Sequence, residues 1–402
     1  MRIVPLVACV ILPCLAALEA FAQSPKSDKA VDVIDVLVRF TATDGTPLEG
    51  KLSLPSGATQ PVPVVFYLHG AGPSDYDRAV RYRGKDGQPA TTRYYDYYAR
   101  ELGRLGFGFF RMSKRGCSAD SAGKLAVDRS VFSKATPTVL VDDYAVALAA
   151  LRQREEIDAR RIVLYGSSEG TRLAPQVAAR VPDGIVGLVL TSHQSDNLRD
   201  TVVWQNSVGV WRAVVKMIPA ASDGSLTKVE YEDALKQNPT IAAKLPFAAV
   251  DADKDEVVTE VELTRLVRPR LDAILKAVED RNDDFLWASL LNLTSAYLLD
   301  GWDGQPTSAF LLKLDLPITI FHGELDGTTR VEGVHETAAA FRAAGKSNLT
   351  IHVYPGHDHD LNWTPADAQG RGSLPLQESF KSVADMFRVR TENRPAAVSN
   401  PR

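Results

Sequence analysis

Residues 161–171 read Arg161-Ile-Val-Leu-Tyr-Gly-Ser-Ser-Glu-Gly-Thr171, an apolar run that ends in a serine flanked by glycines. The continuous β-prone run predicts a strand buried on both faces, and the apolar spacing after it predicts a helix. Gly166 and Gly170 stand two residues on either side of Ser168, because a serine at the apex of a sharp strand-to-helix turn leaves no room for side chains there. This spacing favours Ser168 as a nucleophile, although a plain glycine–serine loop has the same letters.

The same turn predicts one donor of an oxyanion hole, the N–H of Glu169, because a developing negative charge is favoured at the start of a helix. A second glycine-rich segment, His69-Gly-Ala-Gly-Pro73, follows a predicted buried strand that starts at Val62. Its backbone N–H groups can point at a ligand, so we expect Ala71 to supply the second donor, with Gly72 as the alternative. His69 is expected to brace this loop.

Whole-chain composition limits the possible partners. The chain has 402 residues, of which 45% are hydrophobic, enough to bury at least one full core. The formal net charge is -4 and 24% of the residues are charged, so the chain has no basic surplus and nucleic acid is not expected as a partner. The basic, aromatic-rich segment 78–100 is interpreted as a loop and a helix face.

The first residues predict export. Arg2 precedes an apolar run, and Ala20-Phe-Ala22 fits a cleavage site, which together predict a signal peptide over 1–22. The run is too short to span a membrane, so no membrane association is expected after cleavage. Only Cys117 remains in the mature chain, which excludes an internal disulfide. We expect a periplasmic or secreted protein whose stability comes from its core.

Alternating strand and helix patterns predict a mostly parallel sheet with helices on both faces. The α/β core is expected over 31–195 and again over 315–390, with a flexible tail over 391–402. An antiparallel hairpin turning at Asp44-Gly45 is expected at one sheet edge.

The segment 196–314 breaks this rhythm and predicts a helical cap insertion, because it is longer than any plain connection needs. It carries four of the five tryptophans, which are interpreted mainly as core, with one or two lining a substrate pocket. These are Trp204, Trp211, Trp287 and Trp302.

The partners of the nucleophile are predicted near the end of the chain. Serine is a poor nucleophile at neutral pH, so it needs a base, and the base needs an acid to orient it. Asp326 follows a predicted buried strand, with Glu324 as its nearest competitor. His359 follows the last predicted strand, and His357 is the alternative base. The order serine, acid, histidine is that of α/β-hydrolases.

Five motifs follow the predicted elements in order: His69-Gly-Ala-Gly-Pro73, Lys114-Arg-Gly116, Gly166-Ser-Ser-Glu-Gly170, His322-Gly-Glu-Leu-Asp326 and Pro355-Gly-His-Asp-His359. Through these motifs the chain resembles an α/β-hydrolase of the bacterial esterase and serine-peptidase type. Two departures are Ser167, where many relatives have histidine, and Ser118, where glycine is frequent. The resemblance implies the α/β-hydrolase fold and an exported serine hydrolase that cleaves small-molecule carboxylic esters through acyl-Ser168, without a cofactor for catalysis. A serine peptidase on the same triad and a binding protein with a relic hydrolase core are the alternatives.

The insertion also contains a twelve-residue acidic stretch, 251–262, with the spacing of an EF-hand calcium loop. The segment 219–230 matches the second half of such a loop, so 219–262 resembles an EF-hand pair with one worn loop, in which Leu226 and Val258 would bridge. Glu256 stands where glycine is usual, at a cost of about 1 kcal/mol. We expect either a structural Ca²⁺ that braces the cap or an acidic loop that has lost the ion. The predicted ligands are Asp251, Asp253, Asp255, the carbonyl of Val257, Thr259 and Glu262.

Overall fold

The computed structural model describes residues 32–83, 88–120, 123–215, 224–236, 245–363 and 373–392. The predicted signal peptide lies outside these residues, as do Pro219, Ala221 and Asp223 of the worn loop. None of the described helices combines the length and apolar character that crossing a bilayer requires.

The strands and helices alternate through most of the chain. The strands are β1 (Val33–Thr41), β2 (Pro47–Pro55), β3 (Val62–Leu68), β4 (Ala79–Arg83), β5 (Pro89–Arg93), β6 (Gly108–Met112), β7 (Cys117–Ala119), β8 (Leu125–Val127), β9 (Ile157–Ser167), β10 (Ile185–Thr191), β11 (Ser225–Thr227), β12 (Val257–Thr259), β13 (Ile318–Gly323) and β14 (Leu349–Tyr354). The helices cover Tyr94–Arg104, Arg129–Phe132, Pro137–Arg152, Glu169–Arg180, Leu198–Gln205, Val208–Val215, Lys228–Lys236, Phe247–Val250, Glu260–Glu279, Asp283–Ser289, Ser295–Asp300, Thr307–Leu311, Val331–Ala343 and Leu374–Glu392.

Eight strands form one sheet in the order β1-β2-β6-β3-β9-β10-β13-β14. The pairs β1/β2 and β2/β6 are antiparallel, and the remaining neighbours are parallel. The predicted edge hairpin and the mostly parallel sheet are therefore both observed. Parallel strands point their carboxyl ends to one edge of the sheet, which is where ligands bind in open α/β sheets.

Both faces of the sheet are buried, which explains the continuous apolar runs in the sequence. In β3, Phe66 packs into the core on one face while Tyr67 packs into the core on the other. In β9, Leu164 and Tyr165 divide in the same way. Each such fully buried side chain stabilises the fold by roughly 1.5–3 kcal/mol relative to an exposed one.

The segment 78–100 differs from the prediction of a loop and a helix face. β4 and β5 pair as an antiparallel hairpin before the helix Tyr94–Arg104 begins. The strand β5 carries Thr91, Thr92 and Arg93, so it lacks the apolar run that reveals a buried strand. At the other end of the chain, the last helix runs to Glu392, two residues past the predicted end of the core.

The insertion is helical, as predicted, apart from β11 and β12. These two short strands pair antiparallel, with Leu226 opposite Val258, as the resemblance to paired EF-hand loops predicts. All four tryptophans of the insertion are described. Trp211 is buried, Trp287 and Trp302 pack against buried apolar clusters, and Trp204 lies against the guanidinium of Arg212. None of them lines the cavity at Ser168, so the expectation that one or two line a substrate pocket is not met there.

Candidate active site

Ser168 occupies a strained turn between β9 and the helix Glu169–Arg180. Its backbone angles are φ 54° and ψ -119°, a region that a residue with a side chain rarely adopts. A Cβ at Gly166 would overlap the carbonyl of Gly170, and a Cβ at Gly170 would overlap the carbonyl of Leu68. The glycines are therefore required sterically, which is the physical reason for their spacing around the serine.

Asp326 and His359 are in direct contact. The Nδ1 of His359 lies 2.8 Å from Oδ2 of Asp326. Asp326 is almost completely buried and also accepts hydrogen bonds from the N–H groups of Thr328 and Thr329, at 2.7 and 2.8 Å. Because Nδ1 faces the carboxylate, Nε2 is the ring nitrogen of His359 that remains free to act on a neighbouring hydroxyl.

The pKa values of this pair diverge in the way a base and its orienting acid require. Burial raises the pKa of Asp326, but the charge and hydrogen bond of His359, together with the charge of His322 and the N–H of Thr329, outweigh burial and lower it to about 2. Burial lowers the pKa of His359, but the charge and hydrogen bond of Asp326, together with the charges of Asp360 and Asp358, outweigh burial and hold that pKa above its ordinary value. The carboxylate is therefore ionised at neutral pH and favours the protonated imidazole.

The competing candidates are engaged elsewhere. His357 directs its Nδ1 to the carbonyl of Pro355 at 2.9 Å. Glu324 accepts the N–H of Gly356 at 3.2 Å and is exposed. The geometry thus favours Asp326 and His359 over both competitors.

The glycine-rich loop after β3 lies against the serine. A Cβ on Gly70 would stand 3.2 Å from Cβ of Ser168, and Ala71 borders the same cavity as Ser168. Gly72 is buried with φ 84° and is absent from the lining of this cavity in the described structure. These positions favour Ala71 over Gly72 as the second oxyanion donor, beside the N–H of Glu169.

His69 is buried and hydrogen-bonded inside the protein. Its Nε2 lies 2.6 Å from the carbonyl of Met112, and its Nδ1 lies 2.7 Å from the hydroxyl of Tyr95. A carbonyl only accepts, so Nε2 carries the proton and Nδ1 accepts from the tyrosine. Burial lowers the pKa of His69 to about 3 and keeps it neutral. This arrangement fits the expected bracing role.

A buried ion pair beneath the glycine-rich loop after β3 was not predicted from the sequence. The Nζ of Lys114 donates to the Glu169 carboxylate at 2.7 Å and to the carbonyls of Gly70 and Gly72 at 2.6 and 3.0 Å. Both charged side chains are 1% exposed. The hydroxyl of Tyr297, from the insertion, donates to the other Glu169 oxygen. Lys114 and Glu169 each belong to a motif seen in the sequence, but no local pattern joins them.

The candidate site opens onto a cavity of about 370 Å³, within the size range of small-molecule sites. Ser168, His359 and Ala71 border it on the side of the sheet. The insertion supplies most of its apolar wall through Leu198, Val202, Leu290, Leu291, Leu293 and Leu298. Among the described lining residues, Arg78 and Asp360 carry the only full charges other than the titratable His359.

The predicted metal ligands lie in the insertion, apart from this cavity. Asp251, Asp253 and Asp255 come together, whereas Glu262 and Thr259 form a capping box at the start of the helix Glu260–Glu279. Val257 lies in β12.

No family model and no curated protein matches the sequence. Solved structures similar to this chain include a putative dienelactone hydrolase from Klebsiella pneumoniae subsp. pneumoniae MGH 78578, at 12% identity and a TM-score of 0.46, covering 89% of this chain and 99% of that one. A lipase in an open form has 17% identity and a TM-score of 0.45, covering 90% and 100%. An acylaminoacyl peptidase from Pyrococcus horikoshii has 12% identity and a TM-score of 0.49, covering 90% of this chain but only 42% of the peptidase.

The assignment of the fold rests on the features of this chain itself. The mostly parallel sheet is covered on both faces, and the strained serine stands between β9 and the next helix. The acid and the histidine follow later strands, β13 and β14, in the order characteristic of this fold. The predicted fold class is therefore confirmed, and the chain has the α/β-hydrolase fold.

Proposed function

We propose that the protein is an exported serine hydrolase that cleaves carboxylic esters through an acyl-Ser168 intermediate. The observation that carries this proposal is the joint placement of the strained Ser168 and the Asp326–His359 pair on one cavity, with a 2.8 Å contact within the pair. These are the parts that nucleophilic acyl transfer needs: a nucleophile, a base and an acid that orients the base.

The proposed reaction has two halves. His359 Nε2 takes the Ser168 proton while Oγ attacks the ester carbonyl carbon, and the N–H groups of Ala71 and Glu169 receive the oxyanion. The tetrahedral intermediate collapses, the C–O bond to the alcohol breaks, and His359 returns its proton to the departing oxygen. Water then repeats the sequence on acyl-Ser168 and releases the acid. Loss of one oxyanion donor costs about 3 kcal/mol in such reactions.

The lining of the cavity supports an ester with an apolar acyl group. The wall from the insertion is leucine-rich, and burial of each CH₂ against it contributes about 0.8 kcal/mol. An aminopeptidase must also hold an ammonium group. Asp360 is the single acidic side chain among the described lining residues, and the positive charge of Arg78 lies on the same cavity. This balance favours neutral esters over peptides with a free amino terminus.

Export belongs to this proposal and depends on the sequence of 1–22 alone. Amino-terminal sequencing of the protein recovered from the periplasm or medium is expected to begin at Gln23. An uncleaved chain that stays in the cell would contradict export without affecting the chemistry.

A substrate panel tests the chemistry. We expect the full chain to hydrolyse p-nitrophenyl butyrate and hexanoate faster than aminoacyl or prolyl anilides. Ser168→Ala should lower ester turnover by about 10⁴-fold or more. Ser118→Ala makes the same chemical change at an exposed position and should retain activity. Faster turnover of anilides would favour the peptidase, and inactivity on every ester and anilide would favour a relic core.

A further inference from the structure

The acidic loop (251–262) gathers negative charge at a place that the proposed hydrolysis does not use. One carboxylate oxygen from each of Asp251, Asp253 and Asp255 lies within 4.8 Å of the other two. Like charges at this spacing repel each other. A cation between them would remove that repulsion.

The Asp251 carboxylate provides an independent indication of a missing ligand. Asp251 is 8% exposed, and its Oδ1 is buried without a hydrogen-bond partner among the described residues. Buried polar atoms nearly always have a partner, because leaving one unpaired is unfavourable. Asp253 and Asp255 are exposed. This oxygen of Asp251 receives no donor and belongs to a carboxylate that has an oxygen within 4.8 Å of those of Asp253 and Asp255, so it is placed to bind a cation.

We propose that the acidic loop binds one Ca²⁺ through the carboxylates of Asp251, Asp253 and Asp255. The ligand atoms that the loop offers are all oxygens, which suits a hard cation. Ca²⁺ takes about six to eight oxygen ligands in flexible geometry, whereas Mg²⁺ demands a near-ideal octahedron. Further oxygen ligands that could complete the coordination sphere are the Val257 carbonyl, the Thr259 hydroxyl and the Glu262 carboxylate.

Glu262 already reaches back across the loop from the first turn of the helix Glu260–Glu279. Its Oε1 accepts the N–H of Ala252 at 2.9 Å, and its Oε2 accepts the N–H of Thr259 at 3.0 Å. The Glu262 carboxylate is therefore bonded to the residue that follows Asp251. It would close over a cation by giving up these N–H partners for the metal.

The non-glycine residue at the sharp turn is accommodated. Glu256 has φ 66°, the left-handed conformation that glycine normally supplies in such a loop. The backbone thus has the turn that the ligand arrangement requires, and the departure seen in the sequence lowers stability rather than preventing the geometry.

The loop is connected to the wall of the cavity. The helix Glu260–Glu279 begins within the loop, and its later residues Ile274 and Val278 pack with Leu198 and Leu290, which border the cavity. A cation that binds only the folded loop stabilises this helix and the cap that it supports.

Calorimetric titration and thermal unfolding of the chelator-treated full chain test the proposal. We expect heat of binding with a Kd on the order of 10⁻⁴ to 10⁻³ M for Ca²⁺, and a rise in Tm that Mg²⁺ reproduces less well. Asp251→Asn and Asp253→Asn should each weaken binding about tenfold or more. Asp253 is exposed, so its variant keeps the test valid where Asp251→Asn fails to fold.

Glu279→Gln is the matched control, because it removes one exposed charge from the same helix outside the loop. It should bind Ca²⁺ as the unaltered protein does. Absence of heat and of any Tm change at millimolar Ca²⁺ would overturn the proposal. Equal losses in Asp253→Asn and Glu279→Gln would also overturn it, since they would indicate diffuse attraction to a negative surface.

Discussion

Four hydrogen-bond donors converge on the Asp326 carboxylate: the N–H groups of Thr328 and Thr329, the Thr329 hydroxyl at 2.7 Å, and the imidazole of His359. The charge of His359 and these hydrogen bonds together stabilise the ionised form, which is why its pKa falls from 3.8 to about 2 despite burial. The stability contributed by this carboxylate is thus present above about pH 4 and is lost as the pH falls towards 2.

The raised pKa of His359 has the opposite effect on stability and a separate effect on rate. Its contribution to stability is present below the ordinary value of 6.5 and is lost as the pH rises through the raised value. Catalysis needs the neutral ring, so kcat/KM should fall with decreasing pH through an apparent pKa above 6.5. This fall is the acid limb of the pH–rate profile, and a profile measured with a p-nitrophenyl ester checks it.

Asp326→Asn should move that limb to lower pH, because the charge that raises the pKa of His359 is lost while burial remains. The rate at neutral pH should fall by about 10⁴-fold. Glu324→Gln, at the exposed competitor, serves as the control and should leave both the limb and the rate in place. An unmoved acid limb in Asp326→Asn would contradict the role of the pair.

Lys114 is assigned a positioning role by its contacts with Gly70 and Gly72. Lys114→Met would leave Glu169 as an unpaired buried charge, at a cost of about 3–5 kcal/mol in stability. It would also remove the hydrogen bonds that hold the glycine-rich loop 69–73, which carries the proposed oxyanion donor Ala71. We therefore expect kcat to fall by about 10²-fold.

The double variant Lys114→Met/Glu169→Gln separates these two effects. Denaturant unfolding should show recovered stability, since no buried charge is left unpaired, while kcat stays low because the loop is still unanchored. Recovery of the rate together with stability would show that Lys114 acts on the fold alone.

At the level of single residues, the sequence predicts the reactive side chains better than it predicts the contacts between side chains. Ser168, Asp326 and His359 could be proposed because each follows a recognisable strand. The Tyr297 hydroxyl could not be proposed, because it meets Glu169 across 128 residues of chain and no local pattern encodes that contact.

Among the elements, the turn between β9 and the helix Glu169–Arg180 leaves no room for a side chain at either of its glycines, Gly166 and Gly170. Gly170→Ala would press a methyl group into the Leu68 carbonyl and displace either the turn or β3. We expect at least about 2 kcal/mol of destabilisation and near-complete loss of ester turnover, measured by chemical unfolding and steady-state kinetics.

Gly106→Ala is the control for that variant. Gly106 has φ 82° but open space around it, so the change should cost only about 1 kcal/mol of backbone strain and leave the rate unaltered. Full activity in Gly170→Ala would contradict the steric account of the turn.

The buried strands were predictable because both of their faces are covered and their apolar runs are continuous. β4 and β5 were missed because they form a separate hairpin with polar residues such as Thr91 and Thr92. The pairing of β11 with β12 could be predicted through Leu226 and Val258, since a known loop spacing fixed the register. Whether the loop binds an ion stays a prediction.

For the whole molecule, the topology brings distant segments together. Ser168, Asp326 and His359 follow β9, β13 and β14, whose parallel order places their carboxyl ends along one edge of the sheet. The sequence predicted this edge and a substrate pocket, but not the leucine-rich lining of the cavity. The insertion forms the apolar wall of the cavity from short helices, such as Leu198–Gln205. The packing of such short helices depends on tertiary contacts, which the local sequence does not encode.

Covalent labelling with a fluorophosphonate tests the central claim most directly, because the probe reacts only with a serine activated by its neighbours. Peptide mass spectrometry of the labelled full chain should find one adduct per molecule, on Ser168. Labelling should disappear in Ser168→Ala and slow greatly in Asp326→Asn, while Ser118→Ala is labelled at the normal rate. A Ser168→Ala variant that still takes the label, or an unaltered protein labelled on another serine, would contradict the assignment of the nucleophile.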